Sequence, residues 1–167
     1  MTNSDTIAAA IRELRQYGWA EKYHAVTRLG RNTRLDELQA AVLRVKLPLL
    51  DAWNARRREI ADRYHVAARD TALELLPVGT DSVAHLCVGL HPDRDRFREL
   101  LTGEGVGSAV HYPTPDHRQP ALTGAPWRAA GLSVTESSAD RVVSLPCFPE
   151  LLDSEVDYVC EVIRKSA

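Results

Sequence analysis

Pro48 constrains this chain more than any other single residue, because it interrupts the longest periodic stretch in the sequence. Leu35, Leu38, Val42, Val45 and Leu49 recur at three- and four-residue intervals, the spacing of one helix face. Pro48 has no amide hydrogen and its ring clashes with the preceding turn, so a helix must kink or restart there. Past it, Leu49, Trp53, Ile60, Tyr64 and Ala67 continue the apolar face, and Arg56, Arg57, Arg58, Glu59, Asp62 and Arg63 supply the wet one. The pattern predicts a long, bent helical segment from about 34 to 70. Thr33 reads as its N-cap, with Asp36 as a short version of the capping-box acid. The Arg56 to Arg58 run reads as a solvated helix face rather than a phosphate site.

Before this segment, Ile7, Ala10, Ile11 and Leu14 form a short amphipathic helix behind the capping side chains of Thr2 to Asp5, ending before Gly18. After Pro77 the character changes. Val83 to Leu90 reads as a strand, and Asp93 to Leu101 as a helix with Phe97, Leu100 and Leu101 inward. Gly105 to Val110 reads as a second strand entered through glycines. Pro113, Pro115 and Pro120 forbid regular structure in the loop that follows. Ser137 to Val143 reads as a short helix, Val143 to Leu145 as a short strand, and Asp153 as the cap of a last helix with Val156, Val159, Cys160 and Ile163 inward. The outline is an α+β domain: a long bent helix, then a small, mostly antiparallel sheet with flanking helices.

Composition narrows the function. The 167 residues are 44% hydrophobic and 26% charged, an ordinary globular balance. Twenty-one basic residues against 23 acidic ones give a net charge of -2, which argues against general nucleic-acid binding. No apolar stretch approaches the roughly 20 residues of a membrane span, and no signal-peptide pattern opens the chain. A soluble cytoplasmic protein is expected. Cys87, Cys147 and Cys160 form no CxxC pair and read as reduced thiols in the interior.

Two clusters carry the chemistry. The first is His111-Tyr-Pro-Thr-Pro-Asp116-His117, two imidazoles, an aspartate and a phenol on a proline-stiffened loop. Three readings stand: a metal site with His111, Asp116 and His117, although no HExxH spacing supports it; a substrate-binding loop ordered in advance by its prolines; or a structural loop. The second is Lys22, Tyr23, His24, Arg28, Arg31, Asn32 and Arg34, just before a predicted helix start. That suits an anion, since free helix amides add to the cations, or else a surface loop with ordinary salt bridges. No P-loop, GxGxxG or GxSxG is present, and no serine stands beside a histidine, so a serine triad has no support.

The segment Gly30-Arg-Asn-Thr-Arg-Leu-Asp-Glu-Leu-Gln-Ala-Ala41, with Leu50-Asp-Ala-Trp-Asn-Ala-Arg-Arg after it, closely resembles the nucleotide-sugar aminotransferases of the DegT/DnrJ/StrS group. Arg94-Asp95, His111-Tyr112-Pro113 with Pro115 and His117, and Ser144-Leu-Pro146 follow in the family's order. The resemblance implies a pyridoxal-phosphate (PLP) enzyme of fold type I, normally a dimer, that moves an amino group from glutamate or glutamine to a keto sugar on a nucleoside diphosphate. By motif position, Asn32 meets the PLP phosphate. Lys22 and Tyr23 lie near the nucleotide sugar, and His111, Tyr112 and His117 line the substrate side. No metal is implied.

Family members are more than twice this long, so the resemblance places this chain at their C-terminal part. Residues 1–31 would be a remnant of the large cofactor domain with the active-site loop, and 32–167 the small domain. Lys22, Lys46 and Lys165 are the only lysines, and none matches the Schiff-base position, so no catalytic residue is assigned. PLP would be shared with, or supplied by, a missing N-terminal domain or partner. Two partners fit: a complementary N-terminal chain, or a full-length homologue on which this chain docks as a non-catalytic module or relic. The second uses the apolar stripe of Leu35, Leu38, Val42 and Val45.

Overall fold

The computed structural model describes residues 2–124 and 131–166. It divides into two compact units, Met1–Leu49 and Leu50–Ala167. Six α-helices and five short strands lie among the described residues, the expected α+β composition.

In the first unit, α1 (Asp5–Leu14) starts at Ser4, whose hydroxyl accepts from the Ile7 amide. A two-strand hairpin follows, β1 (Trp19–Glu21) against β2 (His24–Ala25). The next helix, α2 (Glu37–Lys46), begins later than the sequence suggests. Its N-cap is Asp36, not Thr33: the Asp36 carboxylate accepts from the amides of Leu38 and Gln39 at 2.9 and 3.3 Å. Pro48 acts as expected. The helical run breaks into a 3-10 turn at Leu47–Leu49, where a missing amide costs least, and restarts as α3 (Leu50–Ala67).

The second unit is built on a three-stranded antiparallel sheet in the order β3 (Glu74–Leu75), β4 (Cys87–Leu90), β5 (Val142–Leu145). Cys87 pairs with Leu145 and Leu90 with Val142. The inward faces of α3, α4 (Arg94–Gly103) and α6 (Asp153–Arg164) close over it, burying Ile60, Tyr64, Phe97, Leu101, Val156 and Ile163. Tyr64 is wholly buried, and its hydroxyl donates to the Pro146 carbonyl at 3.0 Å, which satisfies the one polar atom it carries inside. The remaining helix, α5 (Ser133–Arg141), leads directly into β5.

Several expectations change here. The strand expected over Gly105 to Val110 reduces to an isolated bridge between Ala109 and Ser144, and Gly105 itself takes a left-handed φ of 71° outside any extended run. Only Cys87–Leu90 of the expected Val83 to Leu90 strand is regular. α6 is capped by the Glu155 carboxylate reaching back to the Leu152 amide at 2.8 Å, rather than by Asp153. Asp153 is engaged elsewhere, by Arg56 at 2.8 Å and Arg63 at 3.0 Å. The Arg56 to Arg58 run is therefore not a merely solvated face. Arg56 also reaches the Leu151 carbonyl, Arg57 the Val83 carbonyl and Arg58 the Ser82 carbonyl, so the run ties α3 to two loops. Guanidinium groups suit this because each carries five donors in a fixed fork.

Candidate functional site

The His111 loop hangs from β5. Ala109 and Ser144 exchange backbone hydrogen bonds at 3.1 and 2.8 Å, and this bridge sets where the chain leaves the sheet. Two residues on, His111 Nδ1 lies 2.9 Å from the hydroxyl of Ser144, a residue only 4% exposed. Tyr112 follows with φ 58° and 85% of its surface exposed, its ring centroid 6.4 Å from that of His111. A non-glycine residue held in the left-handed region marks local backbone strain. A 3-10 turn at Asp116–Arg118 then brings in His117. Its Nε2 sits 3.0 Å from Glu136 on α5, and Arg118 meets the same carboxylate at 3.0 Å. The hydrogen bond from His117, then that from Arg118, holds the Glu136 carboxyl below its ordinary pKa.

His111, Tyr112 and His117 thus share one open cleft of about 940 Å³, with Leu122, Val134 and Val142 among its apolar walls. Mixed apolar walls with a few fixed donors are what a sugar or nucleotide needs: faces to stack on and polar atoms to orient it. Among the described residues, no three His, Cys, Asp or Glu side chains converge as metal ligands.

The first unit gathers the other cluster. Tyr17, Trp19 and Tyr23 pack in series, with ring centroids 5.0 and 5.1 Å apart. Lys22 Nζ lies 5.1 Å from the Tyr23 ring centroid, and the Arg34 guanidinium 5.8 Å from that of Tyr17. Two glycines make this loop possible. Gly18 has φ 72°, and an added Cβ on Gly30 would collide with the backbone of Tyr17 and Gly18. Around that contact, Tyr17 donates to Arg31 and Arg31 to Leu14, at 3.1 and 2.8 Å. Asn32 bridges to Gln16, and its Oδ1 accepts from Arg34 Nε at 3.0 Å. One expectation fails. The cations do not stand at free helix amides, because α2 starts at Glu37 and the Asp36 carboxylate already occupies its first turn.

Sequence reasoning missed both residues that hold the histidines. Ser144 stood in a motif match without a role, and Glu136 carried no signal. The expectation that no serine neighbours a histidine is overturned by the Ser144–His111 pair, 33 positions apart. It does not make a triad: the hydroxyl is buried on a strand rather than presented on an elbow. Cys87 and Cys160 are buried and Cys147 is half-buried, as expected. Burial pushes the Cys87 thiol up to about 12, and Cys147 and Cys160 are also raised, chiefly by desolvation.

Comparison with known proteins now decides the family. A profile of the DegT/DnrJ/EryC1/StrS aminotransferases matches residues 1–164. The chain belongs to that family. The erythromycin biosynthesis sensory transduction protein EryC1 of Saccharopolyspora erythraea is 42% identical over 170 residues, covering 100% of this chain and 46% of the relative. The dTDP-3-amino-3,4,6-trideoxy-alpha-D-glucose transaminase of Streptomyces venezuelae is 38% identical, covering 100% of this chain and 45% of its own. The crystal structure of S. venezuelae DesV in complex with a ketimine intermediate matches with a TM-score of 0.89 at 36% identity, over 99% of this chain and 45% of that one. This member of the family therefore spans less than half the length of the relatives it matches, and it aligns with their C-terminal portion. Among its described residues, no helix is long and apolar enough to cross a membrane.

Proposed function

We propose that this chain is the C-terminal portion of a PLP-dependent aminotransferase that transfers an amino group from glutamate or glutamine to the keto sugar of a nucleoside-diphosphate sugar. The observation that carries the reading is the family match over residues 1–164; Lys22, Asn32, His111 and His117 take their roles here from the motif resemblance read in the sequence.

The fit to the cofactor divides by role. A phosphate needs N–H donors beside positive charge. Asn32 spends its amide oxygen on Arg34, so its NH2 end and the remaining guanidinium donors suit a phosphate oxygen. The Schiff-base role finds no comparable residue. Lys165 donates to Glu104 at 2.8 Å, Lys46 is exposed at the end of α2, and Lys22 is exposed over Tyr23. In this reading, residues 1–31 are a remnant of the large cofactor domain, and the lysine comes from outside these 167 residues, in a complementary N-terminal chain or the rest of a longer protein. PLP supplies the chemistry that stores the amino group between donor and acceptor.

The chain's own residues bind and orient. Lys22 offers a cation to the diphosphate, and Tyr23 a ring face beside it. His111 offers a hydrogen bond to a sugar oxygen, while His117, held by Glu136, and Tyr112 line the substrate side of the cleft. The working unit in this reading is a homo- or heterodimer in the cytoplasm.

Mixing the chain with the N-terminal portion of a relative, PLP and glutamate should produce transfer to a 3- or 4-keto dTDP sugar, detected by mass of the amino sugar. Absence of transfer with every donor and keto sugar overturns the catalytic reading. A second reading has its own observation: Leu35, Leu38, Val42 and Val45 are all more than half exposed, an apolar stripe suited to docking a non-catalytic module on a full-length aminotransferase. Co-purification with a full-length relative, without PLP-dependent transfer, favours that one.

A further inference from the structure

The geometry points to Ser144 as a positioning residue that locks His111 in the tautomer with its proton on Nε2, so that His111 meets its ligand as a hydrogen-bond donor. The first ground is satisfaction of a buried hydroxyl. Ser144 is 4% exposed, and among the described residues the one hydrogen-bond partner of its Oγ is His111 Nδ1 at 2.9 Å. If the hydroxyl only accepted there, its own proton would be buried without an acceptor, the costlier of the two arrangements. The hydroxyl therefore donates and Nδ1 accepts. In a neutral imidazole the other nitrogen must then carry the hydrogen.

The second ground is rigidity on both sides of the pair. Ser144 sits inside β5, paired with Val88 on β4 and bridged to Ala109 by two backbone hydrogen bonds of 3.1 and 2.8 Å. That same bridge carries His111 two residues later, so donor and acceptor hang from one fixed piece of backbone. The serine cannot follow if the ring turns, and turning the ring breaks the bond.

The third ground is where the remaining nitrogen lies. Nε2 has no hydrogen-bond partner among the described residues, and His111 lines the cleft shared with Tyr112 and His117. A fixed N–H there selects an acceptor oxygen, such as a sugar carbonyl or hydroxyl or a phosphate oxygen, and rejects a ligand that presents only an N–H or O–H donor at that point. Only this choice of ligand rests on the substrate-binding reading of the cleft; the tautomer does not.

The test is long-range 1H–15N correlation NMR on the labelled chain at alkaline pH, with His111 assigned through His111→Gln. The expected spectrum shows His111 Nδ1 as the unprotonated, pyridine-like nitrogen and Nε2 as the protonated one. Ser144→Ala should mix the two forms, and Ser144→Thr should restore the single form. A protonated Nδ1 in the unmodified chain overturns the inference, and the reading needs no variant to fold. So does a Ser144→Ala spectrum indistinguishable from the unmodified one. Titration with dTDP-glucose is the second readout: Nε2–H should shift on binding, and Ser144→Ala should weaken binding about tenfold, the loss of one oriented hydrogen bond. Failure of dTDP-glucose to bind, with the tautomer as expected, counts against the substrate reading of the cleft and leaves the Ser144 assignment standing.

Discussion

The two units of this chain use opposite means to hold a shape. Among the described residues, the second buries twenty side chains in one cluster, from Ile60 and Tyr64 on α3 to Val162 and Ile163 on α6. In the first, neither α1 nor α2 buries a single residue, and the loop between them is fixed by backbone hydrogen bonds around Gly18 and Gly30. A periodic apolar stripe therefore carries two meanings in one sequence. On α3 it closes a core; on α2 the same spacing faces outward, with Leu38 80% exposed. Periodicity reports that a face is apolar and leaves open what covers it.

The sharpest way to break this contrast is to substitute side chains in each unit and compare the cost. Phe97→Ala should cost about 3–5 kcal/mol in urea unfolding, because Phe97 is a large, fully buried core side chain. A much smaller loss would mean that the second unit's core is not what holds it. Gly30→Ala comes next. The added methyl meets backbone rather than a flexible side chain, so about 1–3 kcal/mol of local overpacking is expected. Hydrogen exchange should show it as faster exchange at Tyr17 and Arg31, with the amides of α3 and α6 unchanged.

A smaller effect is expected from the ion pairs that join α3 to α6. Arg56, through its hydrogen bond, then Arg63 hold the Asp153 carboxyl below its usual value of 3.8. A carboxyl whose folded pKa is depressed contributes stability that is present above its unfolded pKa and is lost as pH falls through the folded one. Asp153→Asn should therefore lower stability modestly near neutrality, where the ion pairs are intact, and the difference from the unmodified chain should shrink away as pH falls below about 4, which flattens the acid loss. Urea midpoints measured through that range check both halves of the statement. The smallest effect belongs to α2. Leu38→Glu should leave stability within about 0.5 kcal/mol, since the side chain has little to lose. A large loss there would mean that the stripe is covered in the isolated chain.

How much of this was legible in the sequence depends on how far apart the interacting residues lie. The helices α1, α4 and α6 could be read because their apolar positions repeat locally, and Pro48 announces its own break. The two-residue strand Glu74–Leu75 could not, since it exists only through pairing with β4. Asp36 is visible as a capping acid, but the sequence leaves its place uncertain by one turn, an ambiguity that only the hydrogen bonds resolve. At the site, the His111 to His117 loop stands out as a dense run of polar residues. Its supports do not: Ser144 and Glu136 lie 33 and 19 positions from the histidines they hold. Nothing local to either residue marks it as the partner of an imidazole.

The central claim is that these residues serve an aminotransferase whose cofactor lysine lies elsewhere. The most direct measurement is a tagged pull-down of the chain from its native host, reduced with borohydride and read by peptide mass spectrometry. The account predicts a reduced PLP–lysine adduct on sequence outside these 167 residues, in a co-purifying chain or in a longer form of this one. An adduct on Lys22, Lys46 or Lys165, or no adduct anywhere, would contradict it.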